Sequence, residues 1–377
     1  MSEALAPIQR VGTVGIIGGG QLALMLAQSV QRLGVRCTVL DPDEGCCASA
    51  ICEQVVGDYD DPVALKQLAE ACEVITYEFE NVPAAAGEVI KPLKPIHPNP
   101  DALGYAQDRH RERTMFKELE IAVPEYRAVD DAESLQQALK ELGTPAILKA
   151  RTLGYDGKGQ ALINDAATAE KAFESIGSVP AILDQFVEFE RELSIVATRS
   201  ITGDIAYYPL SANVHRGGIL RVSKAPARDV SAQLVEQAQH AARQILNRFE
   251  YVGTIAVEFF QIGTGSNATL VTNEIAPRVH NTGHWTIEGA QTSQFENHMR
   301  AVMGMELGSA EPIGHSAMVN IIGDEPRAGA LDSMPQAHVH MYGKSPRPGR
   351  KIGHVTLNAP SEAELDALLE RFTRVIG

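Results

Sequence analysis

Glu258 and Glu274 interrupt stretches that are otherwise largely apolar, Ile255-Ala256-Val257-Glu258-Phe259-Phe260 and Leu270-Val271-Thr272-Asn273-Glu274-Ile275. A carboxylate in such a place ordinarily faces solvent or pairs with a base. Two on facing strands, with Asn273 beside one, can instead direct oxygens at a Mg²⁺ or Mn²⁺ ion that bridges nucleotide phosphates. Lys149 closes on an apolar run at 146–150, where an ammonium needs an anionic partner or a path to solvent. A loop follows, Gly154-Tyr155-Asp156-Gly157-Lys158-Gly159-Gln160, whose three glycines let it lie flat over a polyphosphate while Lys158 adds charge. The same composition also makes a hairpin tip. No Gly-Lys-Ser/Thr opens a helix here, so this is not the P-loop pattern.

Other segments carry chemistry of lower specificity. Asp184-Gln185-Phe186-Val187, passing from a strand into a connection, can offer backbone groups to an adenine edge, and Glu192 can take ribose hydroxyls. The plainer reading is an edge strand with a solvated glutamate. Gly18-Gly19-Gly20 stands between an apolar run and a helix start, so its N–H groups can hold a phosphate. Asp41 lies about twenty residues on, as in a dinucleotide fingerprint, but Ala23 stands where that pattern has its third glycine. A nicotinamide or flavin site, a mononucleotide or ribose phosphate site, and a structural turn all stay open. In Pro277-Arg278-Val279-His280-Asn281-Thr282-Gly283-His284-Trp285 the histidines have the spacing of a zinc pair. Gly283 and the lack of His-Glu-x-x-His argue against metal there. Arg278, directly after the second glutamate strand, is placed for a phosphate, which arginine binds through two N–H groups. Arg347-Pro348-Gly349-Arg350-Lys351 is a compact basic loop, either an anion site or a solvated turn.

Elements must hold these residues in place. The first hundred residues alternate strands at 11–17, 35–40 and 74–77 with helices at 22–33, 61–71 and 83–90. Such units make a doubly wound parallel sheet with helices on both faces. Four prolines in 91–100 close this unit, and a charged helix is expected over 105–120. Strands follow at 146–150, 182–187, 193–198, 205–210, 254–261 and 269–275, with a long helix at 230–249. Shorter strands near 318–322, 339–342 and 352–357 precede a final helix from 362. This second pattern, strands with few helices, is that of a largely antiparallel α+β arrangement.

The chain of 377 residues, 44% hydrophobic and 21% charged, has the size of two or three globular domains. Its net charge of −15 argues against nucleic acid or an anionic membrane as the main partner. An anionic small molecule in a locally basic pocket is not excluded. No run approaches a membrane span, and residues 1–10 lack the apolar core of a signal peptide. Five cysteines crowd into residues 37–72 without Cys-x-x-Cys spacing, so reduced thiols and a cytoplasmic setting are expected.

The ordered set Gly18-Gly19-Gly20-Gln21-Leu22, Tyr77-Glu78-Phe79-Glu80-Asn81-Val82-Pro83, Gln107-Asp108-Arg109, the 154–160 loop, Asn273-Glu274-Ile275-Ala276-Pro277-Arg278, His280-Asn281, Gly283-His284-Trp285, Ser293-Gln294-Phe295-Glu296 and the 347–351 loop resembles the ATP-grasp superfamily. Within it, the resemblance is to the N5-carboxyaminoimidazole ribonucleotide synthetases and covers nearly the whole chain. It implies an ATP-grasp fold mixing α/β and α+β parts. These are a Rossmann-like N-terminal domain at 1–104, a small α+β lid domain at 105–185 and a C-terminal α+β domain at 186–377. It further implies a carbon–nitrogen ligase that carboxylates 5-aminoimidazole ribonucleotide with ATP and bicarbonate, through carboxyphosphate, in purine biosynthesis.

Carried over to this sequence, the resemblance sets Arg109, Lys149 and Gly154, Tyr155, Asp156, Gly157, Lys158, Gly159 and Gln160 over the ATP phosphates. Asp184, Gln185, Phe186 and Val187 meet the adenine, Glu192 the ribose, and His215 and Asn273 lie near the nucleotide. Glu258 and Glu274 hold Mg²⁺. Tyr155 and Asp156 approach the reacting amine, with Lys149 and Arg278 completing the catalytic set. Gly20, Gln21, Leu22, Glu80, Asn281, Arg350 and Lys351 meet the ribonucleotide. A homodimer and a mutase that receives the product are implied as partners. The chain departs from the family pattern at Ala23-Leu24, where Gly-Arg is frequent, at Asp184 for Glu, Arg113 for Lys and Val279 for Pro. None of these removes a metal ligand or the Tyr-Asp pair. The rival readings are another ATP-grasp ligase such as a formate-using ribonucleotide transformylase, a nicotinamide-dependent dehydrogenase built on the first glycine turn, and a non-catalytic nucleotide-binding subunit.

Overall fold

Three sheets carry the chain in a computed structural model that describes residues 12–152, 154, 159–326, 329 and 331–376. The alternating N-terminal pattern forms β1 (Thr13–Ile17), α1 (Gln21–Gln31), β2 (Arg36–Asp41), β3 (Glu53–Val56), α2 (Pro62–Ala71), β4 (Val74–Tyr77) and α3 (Ala84–Ile90). The strands are parallel in the order β3-β2-β1-β4. Every residue of β1 is buried, as expected of a parallel strand covered on both faces. Asp61 caps α2 by accepting the Val63 N–H, with Pro62 in the first turn.

The helix expected over 105–120 is two helices, α4 (Asp101–Ala106) and α5 (Arg109–Glu118). Side chains explain the break. Gln107 Nε2 donates to the Glu80 and Val82 carbonyls at 2.7 and 2.9 Å, and Asp108 caps α5 by accepting the His110 and Arg111 N–H groups.

The second sheet comprises β5 (Tyr126–Val129), β6 (Ala146–Ala150), β7 (Gln160–Ile163) and β8 (Ala181–Gln185), antiparallel in the order β5-β8-β6-β7. Helices α6 (Ala132–Leu142) and α7 (Ala169–Ser175), which the sequence pattern did not anticipate, cover it through Leu135, Leu139 and Phe173.

The third sheet is antiparallel and has nine strands. In chain order its elements are β9 (Arg191–Arg199), β10 (Ile205–Tyr207), β11 (Ser211–Arg216), β12 (Ile219–Ala225), α8 (Ala232–Arg248), β13 (Gly253–Ile262), β14 (Thr269–Ala276), α9 (Thr286–Gly289), α10 (Gln294–Val302), β15 (His315–Ile322), β16 (Ala337–Met341), β17 (Lys351–Ala359) and α11 (Glu362–Ile376). The order is β14-β13-β9-β11-β12-β15-β17-β16, with β10 beside β9. β10 is shorter than the strand expected at 205–210. Helix α8 buries Leu234, Ala238 and Ile245 against Ile195 and Val257, where Met115 and Phe116 of α5 join the same core. Phe295, Met299 and Val302 of α10 pack on the Leu22–Val30 face of α1, which fixes the first sheet against the third. Among the described residues no helix is long and apolar enough to cross a membrane. All five cysteines are free thiols.

Candidate active site

The β13–β14 ladder sets Glu258 directly opposite Glu274. Burial and the neighbouring Glu274 charge push Glu258 up to about 7. Burial opposes the charge on Glu274 too, but Arg109, 3.0 Å from its Oε2, outweighs that and holds the carboxyl below its usual range. His280 Nε2 lies 3.7 Å from Glu258, and burial keeps this imidazole well below its ordinary pKa, so it is neutral. Among the described residues no three carboxylate, histidine or cysteine side chains converge into a metal cage. The glutamate pair therefore suits a cation that takes its other ligands from phosphates and water, as Mg²⁺ does.

A basic wall rises beside the pair. Arg109, Glu112 and Arg113, spaced i, i+3 and i+4, share one face of α5. Arg109 also donates to the Gly154 carbonyl at 3.4 Å, so one guanidinium touches both the start of the glycine-rich loop and a candidate metal ligand. Glu112 accepts the Ile275 N–H at 2.9 Å, and burial pushes it up to about 7 against the pull of Arg113. Lys149 lies 2.9 Å from Asp184 and 3.4 Å from Asn273 Oδ1. Burial lowers its pKa while Asp184 opposes the shift.

Asp184 itself is only 2% exposed, so its side chain lies in the interior and not on the cleft surface. The Gln185 and Phe186 N–H groups donate to the Glu125 and Pro145 carbonyls at 2.8 and 3.4 Å. Val187 follows them in the connection to β9. Glu192 bonds His215 Nδ1, and this bond raises the histidine's pKa against the effect of burial. Tyr155, Asp156, Gly157 and Lys158 lie outside the described residues, while Gly159 turns the chain with φ +69° into β7.

At the far end, the glycine turn holds carboxylates of the chain itself. Gly19 N–H donates to Asp41 Oδ2 at 2.8 Å, and the Gly20 and Ala23 N–H groups donate to Glu78 at 2.5 and 2.8 Å. A Cβ at Gly20 would come within 2.5 Å of Glu78, so crowding by that carboxylate is sufficient reason for glycine. Lys344 donates to Gln21 Oε1, joining the turn to the basic loop, where Arg350 bonds Ser345. Arg278 pairs with Glu80; burial opposes the Glu80 charge, but Arg278 brings its carboxyl down to about 2. Both polar atoms of the Asn281 side chain are buried with no hydrogen-bond partner among the described residues.

A cleft of about 1110 Å³ connects the two ends. The first unit lines it with Gln21, Leu22 and Glu80, and the lid side with Arg109, Lys149, Gly154 and Gln160. Glu192, His215, Glu258, Asn273, Glu274, Arg278, Asn281, Arg350 and Lys351 line it from the third sheet and its loops. Gly20, Gly159 and the 184–187 segment are not on its wall. The sequence reading missed Ile147, Phe260, Phe189, Glu112 and Lys344, all on the wall. Strand alternation carried a signal for two of them, because Ile147 and Lys149, like Phe260 and Glu258, share a strand face. Phe189 stacks on Phe260 with ring centroids 4.7 Å apart, making an apolar shelf.

Three family models match successive parts of the chain: a ribonucleotide synthetase preATP-grasp domain over 11–107, an ATP-grasp domain over 114–295 and a phosphoribosylaminoimidazole carboxylase C-terminal domain over 316–368. The N5-carboxyaminoimidazole ribonucleotide synthase of Pseudomonas aeruginosa is 44% identical, with 96% of this chain and 99% of that one aligned. The chain belongs to the N5-carboxyaminoimidazole ribonucleotide synthase family. Solved structures of synthases agree. That from Thermus thermophilus superposes with a TM-score of 0.91 at 46% identity, covering 97% of this chain and 98% of that one. That from Aspergillus clavatus, in complex with ADP and 5-aminoimidazole ribonucleotide, gives 0.89 at 31% identity over 97% and 98%. The synthase fold thus accounts for all three sheets, and the dehydrogenase reading of the glycine turn is set aside.

Proposed function

We infer that the chain is the ligase that carboxylates 5-aminoimidazole ribonucleotide to N5-carboxyaminoimidazole ribonucleotide, using ATP and bicarbonate and releasing ADP and phosphate. The carrying observation is a cleft with the facing Glu258–Glu274 pair and its basic wall at one end and the Lys344, Arg350 and Lys351 loop at the other. That layout suits a nucleotide and a second phosphorylated substrate brought together. The domain units are 1–104, 105–185 and 186–377. The phosphates of ATP meet Arg109, Lys149 and the 154–160 loop, the adenine packs between Ile147 and the Phe189–Phe260 shelf beside 184–187, and Glu192 with His215 takes the ribose.

Glu258 and Glu274 are the residues to hold Mg²⁺, which when bound neutralises phosphate charge. Arg109, Lys149 and Arg278 supply fixed positive charge where the γ-phosphoryl group moves to bicarbonate. The carboxyphosphate so formed splits into CO₂ and phosphate, and lid closure by the 154–160 loop keeps water from it. The ribonucleotide amine attacks CO₂ and gives up a proton to Asp156, with Tyr155 alongside. Gln21, Leu22, Glu80, Asn281, Arg350 and Lys351 orient the ribonucleotide, its phosphate at the basic loop. The reading extends to a cytoplasmic homodimer that hands its product to a mutase.

Phosphate release from Mg-ATP and bicarbonate, with and without 5-aminoimidazole ribonucleotide, tests this. Strong stimulation by the ribonucleotide with a trapped carboxylated product is expected; turnover indifferent to it would require another amine acceptor. Arg350→Ala should raise the KM for the ribonucleotide about tenfold or more and leave that for ATP unchanged. An unchanged ribonucleotide KM would move the phosphate site elsewhere.

A further inference from the structure

Lys149 stands in a buried ion cluster. The β6–β8 register pairs Asp184 with Ile147, so the Asp184 side chain shares the sheet face of Ile147 and Lys149. One oxygen, Oδ2, accepts from Lys149 at 2.9 Å and from Arg113 at 3.0 Å. The other, Oδ1, is buried with no partner among the described residues. Arg113 is completely buried, and its other terminal nitrogen donates to the Asn273 carbonyl on β14 at 2.5 Å. The guanidinium thus bridges the second sheet and the third, which face each other across the nucleotide end of the cleft. Asn273 in turn offers its Oδ1 to Lys149 at 3.4 Å. Both groups that hold Lys149 are therefore tied down by Arg113.

We propose that Arg113 is a positioning residue for the nucleotide site: through Asp184 and the Asn273 carbonyl it fixes Lys149 at the place where the ATP phosphates are received. This rests on the reading above that Lys149 contacts ATP. With a carboxylate as short as Asp184 the bridge needs the long planar fork, because a lysine ammonium is a single point on a shorter reach. Without the fork, Asp184 keeps Lys149 as its one cation and can shift with it, so the phosphate contact loses its fixed position while the cluster keeps a neutralising partner.

The test uses full-length enzyme with steady-state kinetics in both substrates, and melting curves as a check of folding. Arg113→Lys should raise the KM for ATP about tenfold, with kcat within about twofold and the ribonucleotide KM unchanged. Asp184→Glu, which keeps both cations, should act in the same direction and carries the test if Arg113→Lys does not fold. In the double variant the longer carboxylate reaches the shorter cation, so the KM for ATP should recover to within about threefold of the parent. An ATP KM unchanged in a variant that only melts lower, or both KM values rising together, would overturn the proposal in favour of a purely structural role. Multiplied single effects in the double variant would overturn it as well. Lys149→Ala separates the two levels. If it leaves the KM for ATP unchanged, the ATP contact of Lys149 itself falls, and the proposal with it. If it impairs ATP use while Arg113→Lys and Asp184→Glu do not, only the role of Arg113 falls.

Discussion

Glu258 shows at a single residue how a site can be set against the stability of its own fold. Its carboxyl is pushed to about 7 from an ordinary 4.5 by burial and by Glu274. Between those values the native state keeps a proton that the unfolded chain has released, so stability of the metal-free protein falls as pH rises through the window. Glu258→Gln removes both the repulsion and the titration. Its melting temperature at pH 8 should exceed the parent's by a few degrees, on the order of 1–2 kcal/mol. Phosphate release should at the same time drop at least about a hundredfold. Thermal melts at pH 5 and pH 8 with parallel turnover assays check this, and turnover within threefold of the parent would remove Glu258 from the metal site. The sequence disclosed this residue because an acid inside an apolar strand is costly without a purpose. It hid Glu112, the more deeply buried of the two, because a glutamate among Arg109, His110, Arg111 and Arg113 is ordinary for a solvated helix.

Helix α5 carries that lesson to the scale of an element. Its first turn faces the cleft, and its start is set by Asp108, which caps two backbone N–H groups and pairs with Arg151 at 2.9 Å. Arg109 N–H donates to the Arg151 carbonyl at 2.9 Å, so the cap also anchors the strand end from which the lid loop departs. Asparagine caps as well as aspartate but lacks the charge. Asp108→Ala should therefore lose about 1 kcal/mol of stability and Asp108→Asn much less. Both should raise the KM for ATP several-fold, because both release Arg151. A normal ATP KM in Asp108→Asn would show that the ion pair does not position the lid base. Local signals missed this junction because the break depends on Gln107 reaching the Glu80 and Val82 carbonyls, a contact between distant parts of the chain. Helix α10 was hidden for another reason. Its nine residues are shorter than the window over which helical spacing is read, although Phe295, Met299 and Val302 do recur at that spacing, and Gln294, Glu296, Asn297 and His298 are buried along with them. Helix α6 was also missed, although its start is legible as a capping box between Asp131 and Ser134 ahead of Leu135, Ala138 and Leu139.

In the whole molecule, the parallel first sheet followed from local alternation, whereas the strand order of the third follows from pairings between distant segments that no window of sequence displays. The joint between these sheets includes a buried histidine. His298 on α10 accepts the Thr254 N–H of β13 at Nδ1, 3.1 Å away, and meets Thr76 Oγ1 of β4 at Nε2, 2.9 Å away. With Nδ1 accepting, Nε2 carries the proton and donates to Thr76, so the ring bridges the two sheets only when neutral. Burial accordingly brings its pKa down to about 3 from 6.5, and burial brings nearby His97 down to about 4. For a base whose folded pKa is depressed, the unfolded chain binds the extra proton first. Stability is therefore full above about 6.5 and is lost as pH falls from there toward 3. Each such histidine contributes up to about 1.4 kcal/mol per pH unit in that range. His298→Gln can keep a bond to each side without titrating. At pH 8 it should cost about 1–2 kcal/mol for imperfect hydrogen bonding. Its denaturation free energy should then fall between pH 6.5 and 4 by about one proton's slope less than the parent's, the other buried groups, His97, His280 and Glu258 among them, titrating alike in both proteins. Urea unfolding at a series of pH values reads this directly. Parallel slopes in parent and variant would mean that the acid-labile joint lies away from His298, and that the first sheet stays docked on the third when this bridge is protonated.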